Sequence, residues 1–375
     1  MWAGPTINVA AQPEQQSPTG AGLGAAAILA LALSALRAER NYQALPSLPE
    51  ERPEGPLPAL SVIVPARNEA ANLPDLLSSL AQTKYPGTME IIVVDDASQD
   101  GTAEIARHFP VRLVRNERLP DGWTGKTYAC HRGAQEARGD WLLFVDADTR
   151  HDAQGPARAV AYALRHDLDG LSLFLPNASS GAADRLALMV AFASFFAASD
   201  LGSGVLNGQY ILLRRQAYWG CGGFARVRRQ VTEDLALGKH LQESGYRVPI
   251  LRGNGAGRVH MYPSAVPLWQ GLSRYTIASL RWTGLRGVWA VLLTVSAAAP
   301  LEFVMSALRR GAGWRRAIVS WATAAAAMSG WAARFGGPGW ALLAPIGAMQ
   351  VQVTALWGIV RRLCGRGVRW KGRDL

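Results

Sequence analysis

The sequence predicts an α/β fold in which a mainly parallel sheet is flanked by helices, with an N-terminal transmembrane anchor and a C-terminal membrane region. Three observations lead there. Between Leu60 and Tyr262, continuous apolar segments alternate with segments of helical spacing, the pattern of strands covered on both faces by crossover helices. Residues 21–36 form an uncharged apolar run, and three further apolar stretches come after Pro267. Charge is divided in the same way. Pro263 to Leu375 carries 14 Lys/Arg against 2 Asp/Glu, whereas the chain before it carries 25 against 26.

Residues 1–20 are polar and rich in Pro, Gly and Gln, a composition that favours disorder. The run 21–36 is short for a membrane span, and Arg37 and Arg40 come directly after it. No basic residue precedes it, which argues against a signal peptide, and the positive-inside bias places the chain beyond Arg37 in the cytoplasm. A Pro-rich linker, 37–59, leads to the domain at 60–262. There, strands are expected at 61–65, 90–96, 111–115 and 141–146, and helices at 72–82, 102–108, 126–138 and about 233–244. After the domain, 263–316 is expected to be interfacial or re-entrant, because Pro300 and Glu302 interrupt the stretch 288–308. Residues 317–360 then form a transmembrane hairpin turning at Gly336-Gly337-Pro338-Gly339, and 361–375 a basic cytoplasmic tail. This arrangement keeps Arg309, Arg310, Arg315, Arg316 and the last six Lys/Arg on the cytoplasmic side of a multi-pass inner-membrane protein whose domain is also cytoplasmic. Basicity interleaved with apolar runs suits an anionic membrane surface, not nucleic acid. Three widely spaced cysteines, Cys130, Cys221 and Cys364, with no C-x-x-C pair, read as reduced thiols and exclude a disulfide framework or zinc site.

Ligands of such sheets bind beyond the carboxyl ends of the strands, and polar residues collect there. Asp146 and Asp148 end an otherwise uncharged strand. Alternate residues share a face, so both carboxylates can reach one hard cation, Mg2+ or Mn2+. The alternative is a polar turn after a core strand. Asp96 ends the second strand and can accept hydrogen bonds from a base or ribose, while Asp100 to Thr102 read as a helix cap. Pro65, Arg67 and Glu69 lie beside the same crevice, although Arg67 could simply pair with Glu69. Thr232 reads as an N-cap, so Glu233 and Asp234 either serve the helix dipole or supply a general base, Asp234. In Gly122-Trp123-Thr124-Gly125-Lys126, Lys126 offers positive charge to phosphates and Trp123 can shield the site, but the glycine spacing is not that of a P-loop. Gly208 and Gln209 suggest a tight turn at the acceptor mouth. Arg281 and Trp282 read either as a diphosphate contact with an adjoining acceptor contact or as an interfacial anchor. His151 and His260 are candidate further metal ligands.

Taken in order, Val64-Pro65-Ala66-Arg67-Asn68-Glu69, Val94-Asp95-Asp96-Ala97-Ser98-Gln99-Asp100-Gly101-Thr102, Asp146-Ala147-Asp148 and Glu233-Asp234 resemble the family-2 glycosyltransferases of GT-A fold, over about residues 60–285. Gly122 to Lys126, Asn207-Gly208-Gln209-Tyr210 and Trp370-Lys371-Gly372-Arg373 are similar to segments of the hopene-associated and carotenoid (diaponeurosporenoate-type) members. The resemblance implies inverting sugar transfer from a nucleotide-sugar, UDP-linked in the expected case. Asp96 would bind the nucleotide, Asp148 with Asp146 the metal, and Asp234 would be the base. The Q-x-x-R-W motif of processive synthases is not kept, since Ala278 stands at the Gln position before Ser279-Leu280-Arg281-Trp282. The expected acceptor is lipid-soluble: a carotenoid, a hopanoid or, as an alternative, polyprenyl phosphate. A non-catalytic membrane scaffold or a small transporter are the readings from other classes.

Overall fold

A computed structural model of the chain describes residues 18–178, 181–202, 204–262, 264–364, 369–370 and 373–374. Residues 1–17 of the expected disordered segment lie outside them. Helix α1 runs over Pro18–Gln43, so it starts before the expected anchor and continues into the expected linker. The domain continues with β1 (Leu60–Ala66), α2 (Leu73–Ala81), β2 (Met89–Asp95), α3 (Thr102–Arg107), β3 (Arg112–Arg115), α4 (Gly125–Glu136) and β4 (Trp141–Val145). After these come β5 (Thr149–His151), α5 (Gly155–Arg165), β6 (Gly170–Phe174), α6 (Ala182–Ala198), β7 (Tyr210–Arg214), α7 (Arg215–Gly220), α8 (Gly223–Arg226), α9 (Glu233–Glu243), β8 (Ile250–Arg252) and β9 (Gly257–Val259). Helices α10 (Ala265–Thr283), α11 (Gly287–Arg310), α12 (Trp314–Arg334) and α13 (Ala344–Leu363) follow, and after them Arg369–Trp370 and Arg373–Asp374 pair as a two-residue antiparallel ribbon.

Seven strands form one sheet in the order β3-β2-β1-β4-β7-β6-β8. The sheet is mixed. β7 alone runs antiparallel to its neighbours β4 and β6, and the other pairings are parallel. β5 and β9 form a separate antiparallel ribbon. Alternation along β1 explains why both faces are apolar. Val62 and Val64 pack with Leu73, Leu76 and Ala159 on one face, whereas Ile63 packs with Ala129, Cys130 and Leu237 on the other. The four strands expected from sequence lie where expected, with their ends moved by a residue. β6, β7 and β8 were not expected: β6 carries Ser172 within its apolar run, β8 is only three residues long, and β7 is a short apolar run, Tyr210–Arg214, that leads directly into α7.

The C-terminal helices do not stand apart from the domain. Their core includes Phe174 of β6, Ile250 of β8 and Leu235 of α9 together with Leu31 and Tyr42 of α1, Met189 and Phe196 of α6, Leu293 of α11, Trp331 of α12 and Ala348 of α13. Glu39 of α1 is held in two hydrogen bonds by Arg334 of α12, at 2.6 and 2.8 Å, and the same guanidinium lies over the Tyr42 ring. The stretch 288–308, expected to be interfacial or re-entrant, belongs to one uninterrupted 24-residue helix that accommodates Pro300. Among the described residues, Gly284–Arg310 and Pro338–Leu363 are the two stretches long and apolar enough to cross a membrane. Leu29, Leu33 and Leu36 of α1, Val291 and Val295 of α11, and Val353 and Leu356 of α13 all face outward. Cys130, Cys221 and Cys364 are free thiols.

Candidate active site

The site lies where the sheet sequence dictates, beyond the carboxyl ends of β1, β2 and β4. At the end of β2, Asp95 is fully buried. It accepts hydrogen bonds from the Ser98 amide at 3.1 Å and from Arg115 at 3.2 Å. Asp96 is also buried, and its amide donates to Ala66 at the end of β1. Arg67 does not pair with Glu69. Its guanidinium donates to the main-chain oxygens of Asp96 and Ala97, tying the two loops together, while Glu69 accepts from Asn72 at 2.9 Å. Both loops turn through a left-handed residue, Asn68 and Ala97, each at φ 52°, a conformation that the bonds from Arg67 and between Asn68 and Ser98 hold in place. Asp100 has a structural role. Burial would raise its carboxyl, but hydrogen bonds from Thr102 and from the Ala70 amide outweigh this and lower it.

Lys126 is the hub of the site. Thr124 caps α4 by accepting from the Thr127 amide, and both threonines are fixed to the Arg228 carbonyl, at 2.8 and 2.9 Å. Lys126 therefore projects from the first turn of α4 with its Nζ 2.7 Å from Asp146 and 3.0 Å from Glu233. Asp234 stands beside them. Its two carboxylate oxygens accept from the Gly208 and Leu235 amides, each at 2.9 Å. Thr232 occupies the N-cap position of α9 without a side-chain capping bond. Gly208 allows this closeness, since a Cβ there would sit 3.1 Å from both Asp234 Oδ2 and Lys126 Nζ. Gly238, one turn along α9, touches the backbone of Gly204 in the same way, where any side chain would overlap the Gly204 carbonyl. Pro65, Lys126, Asp146, Gly208 and Glu233 line one small hollow with Phe144 and Phe224 at its apolar base.

Burial raises the Asp234 carboxyl to about 6, and the neighbouring Glu233 adds to the effect. Lys126 and the two amides oppose it. A carboxyl near neutrality suits a general base. Asp146 and Asp148 flank buried Ala147 at the end of β4, and Asp146 donates its amide to the Gln209 carbonyl at 3.4 Å. Two carboxylates are an adequate protein share for Mg2+ or Mn2+, which keep waters and take phosphate oxygens as their remaining ligands. No cluster of three or more His, Cys, Asp or Glu side chains occurs among the described residues. His151 is engaged through one ring nitrogen, and its buried Nδ1 has no hydrogen-bond partner. Its Nε2 lies 2.9 Å from Thr149 Oγ1, and burial, aided by Arg150, lowers it to about 4, so the ring is neutral. His260 donates its amide to the Asp148 carbonyl at 2.9 Å, and burial lowers its imidazole.

Other expected residues are placed less centrally. Trp123 packs its ring on Tyr128 and His131, with centroids 5.4 and 5.1 Å apart, on the outer side of α4. Gln209 is buried and accepts from Asn207 at 3.1 Å, so it shapes the turn that carries Gly208. Arg281 and Trp282 belong to α10, but their side chains fall outside the described residues, as does most of Trp370 to Arg373. Sequence reasoning missed Ser172. Its hydroxyl, buried in β6, shares its single proton between the Tyr210 and Asn207 carbonyls, at 2.9 and 3.1 Å, and accepts from the Asn207 amide at 2.8 Å. A lone serine in the apolar strand Gly170–Phe174 was the available signal. Arg228 was missed because it acts through its carbonyl, which no sequence pattern marks.

Residues 61–221 match the family described as glycosyl transferase family 2. A 4,4'-diaponeurosporenoate glycosyltransferase of Staphylococcus haemolyticus is 32% identical over 231 residues, covering 58% of this chain and 60% of that protein. The protein of the same name in Staphylococcus aureus is 29% identical over 208 residues, covering 52% of this chain and 54% of its own length. The chain thus spans under two thirds of the length of these relatives. Among solved structures, the mannosyltransferase PcManGT of Pyrobaculum calidifontis, in complex with GDP-Man and Mn2+, shares the fold with a TM-score of 0.54 at 20% identity, over 89% of this chain and 99% of that one.

Proposed function

We propose that this chain, which carries a glycosyl transferase family 2 domain at residues 61–221, transfers a sugar with inversion from a nucleotide-sugar to a lipid-soluble acceptor at a membrane surface, in a reaction that needs Mg2+ or Mn2+. The observation that carries the reading is the convergence on Lys126. Asp146 from the end of β4, Glu233 from the start of α9 and the Gly208 turn all meet its ammonium, with Asp234 held against the same turn. A capped core strand or a helix dipole alone would not bring these distant segments together around one cation.

Asp96, buried at the end of β2 and braced by Arg67, lies where a nucleoside would be gripped by its base or ribose. Asp148 and Asp146 would hold the divalent cation, which when bound neutralises charge on the diphosphate leaving group. Lys126 adds positive charge on the same side. Asp234 accepts the proton of the acceptor hydroxyl as that oxygen attacks the anomeric carbon in line with the departing diphosphate. The amides of Gly208 and Leu235 fix its orientation, leaving its remaining lone pairs for the acceptor. The outward apolar faces of α1, α11 and α13, together with the relatives' names, support an acceptor that dissolves in lipid. An already ionised acceptor, such as a polyprenyl phosphate, needs no base. That is the second reading, and the two differ in their demand for Asp234.

The test is nucleoside diphosphate release from a panel of nucleotide-sugars by the purified, detergent-solubilised chain, with mass analysis of glycosylated lipids. Release is expected to need Mn2+ or Mg2+, to stop with a chelator and to be lost in Asp148→Ala. Undiminished, chelator-resistant release in Asp148→Ala would overturn the assignment, and no release with any donor would favour a scaffold.

A further inference from the structure

We propose that Lys126 is an internal counter-ion that competes with the divalent cation for Asp146, so that the cation is taken up tightly only together with the donor diphosphate, which receives the displaced ammonium. The inference rests on the metal-dependent reading of the site. Lys126 sits in the first turn of α4, the end of a helix at which a cation is disfavoured. Its place there is maintained by carboxylates: Asp146 at 2.7 Å and Glu233 at 3.0 Å. The side chain is enclosed on a further side by the Gly208 turn, where even a methyl group would lie 3.1 Å from its Nζ. Asp146 is one of only two carboxylates available for the cation at the end of β4. A divalent ion approaching it meets an ammonium already in contact with that carboxylate, in a partly enclosed place where like charges are poorly screened.

Something must take the lysine before the ion can settle. The donor's diphosphate is anionic, arrives with the cation and carries oxygens that an ammonium can contact as readily as it contacts a carboxylate. Lys126 stays paired before and after, first with Asp146 and Glu233, then with Glu233 and the diphosphate. In the absence of nucleotide, Lys126 keeps three neighbouring acids, Asp146, Glu233 and Asp234, from repelling one another. Binding of cation and donor is then cooperative by a linkage set through one side chain. The cation reaches the site as part of the metal–nucleotide pair.

The experiment measures Mn2+ binding to the full-length, detergent-solubilised protein by the electron paramagnetic resonance signal of free Mn2+, with and without UDP. In the wild type, Mn2+ alone is expected to bind weakly, and UDP to tighten it beyond what the Mn2+–UDP complex in solution accounts for. In Lys126→Met and Lys126→Gln, Mn2+ alone is expected to bind about tenfold tighter or more, with the UDP enhancement reduced to match. Lys126→Arg, which keeps the charge, should retain the wild-type pattern. Mn2+-alone affinity that is unchanged or weaker in Lys126→Gln, while UDP-supported Mn2+ uptake persists and is abolished by Asp148→Ala, would overturn the counter-ion role and leave the metal reading standing. The wild type alone also decides the matter if the neutral variants fail to fold, because an absence of UDP enhancement beyond the solution complex excludes the linkage. Loss of both, with no Mn2+ uptake in any form, would overturn the metal reading and this inference together.

Discussion

Asp234→Asn tests the electrostatics of the site through stability, independently of catalysis. In the folded protein the Asp234 carboxyl is raised from 3.8 to about 6, chiefly by burial and then by Glu233. That difference corresponds to ~3 kcal/mol between the protonated and ionised folded forms. Because the folded value lies above the unfolded one, the folded protein binds the extra proton. The contribution is fully present below pH 3.8, is lost as pH rises through about 6, and is flat beyond. The asparagine variant has no such proton. It gives up one of the two acceptors that Asp234 presents to the Gly208 and Leu235 amides, at a cost of ~1 kcal/mol that does not vary with pH. The stability of wild type minus that of variant should therefore fall by ~2 kcal/mol between pH 4 and pH 8, whatever the constant offset. Denaturant unfolding of both proteins in detergent, followed by tryptophan fluorescence across that range, measures the difference directly. Transfer to a hydroxyl acceptor should meanwhile fall by about 10^2 or more in the variant, and the wild-type rate should decline as pH drops through about 6. Parallel stability curves would refute the burial argument. A variant with full transfer activity would refute the base and point to an ionised acceptor.

Gly208→Ala is expected to cut transfer by about tenfold or more while leaving the unfolding midpoint nearly unchanged, because its methyl would press on both Asp234 Oδ2 and Lys126 Nζ at 3.1 Å without requiring a forbidden backbone angle. Steady-state rates beside thermal unfolding check it. Arg334→Met should lower stability by about 1 kcal/mol through loss of the partly exposed pair with Glu39 and of the stacking on Tyr42. Its Mn2+–nucleotide affinity should stay at the wild-type level, and a matched loss of that affinity would show that the α1–α12 contact also shapes the donor site.

The legibility of the sequence tracked the strength of its local signals. β1, β2 and β4 are buried on both faces, so each is a continuous apolar run, and the acids that end them stand out against it. Asp146, Glu233 and Asp234 were therefore visible as candidates, although their meeting around one lysine was not, because the distance between chain positions 126, 146 and 233 carries no spatial information. β6, β7 and β8 were missed, and with them the single antiparallel strand that brings the Gly208 turn to the site. The sequence leaves Arg67 either beside the crevice or paired with Glu69. Adjacent residues of opposite charge suggest a pair, yet a guanidinium beside two strand ends finds better acceptors in exposed carbonyls. The stretch around Pro300 read as an interruption because an isolated helix loses a hydrogen bond at proline. In the folded chain, Pro300 is buried and Ala297 and Ala298 pack alongside in the same core, so tertiary contacts carry the helix across it.

On the proposed reading, α9 is the element that would bring donor and acceptor chemistry to a common geometry. Leu235, next to Asp234, lies in the core shared with α1, α6, α11, α12 and α13, whereas Leu237 and Leu241 lie in the core beneath α4 and the sheet. The helix that opens with the base therefore straddles two packed regions. The acids at the end of β4 are positioned by the sheet, by Lys126 of α4 and by the His260 amide, which donates to the Asp148 carbonyl. Asp234, the proposed base, takes its position from the sheet and from the helical bundle whose apolar faces point outward. Close packing transmits small displacements, so the bundle constrains where Asp234 can sit. An acceptor held by that bundle would present its hydroxyl to a base anchored in the same core, while the donor diphosphate is gripped from the sheet side. The Gly208 amide and Lys126 are the two contacts that join these halves at the site itself. That is why substitutions at those positions should alter transfer far more than they alter folding.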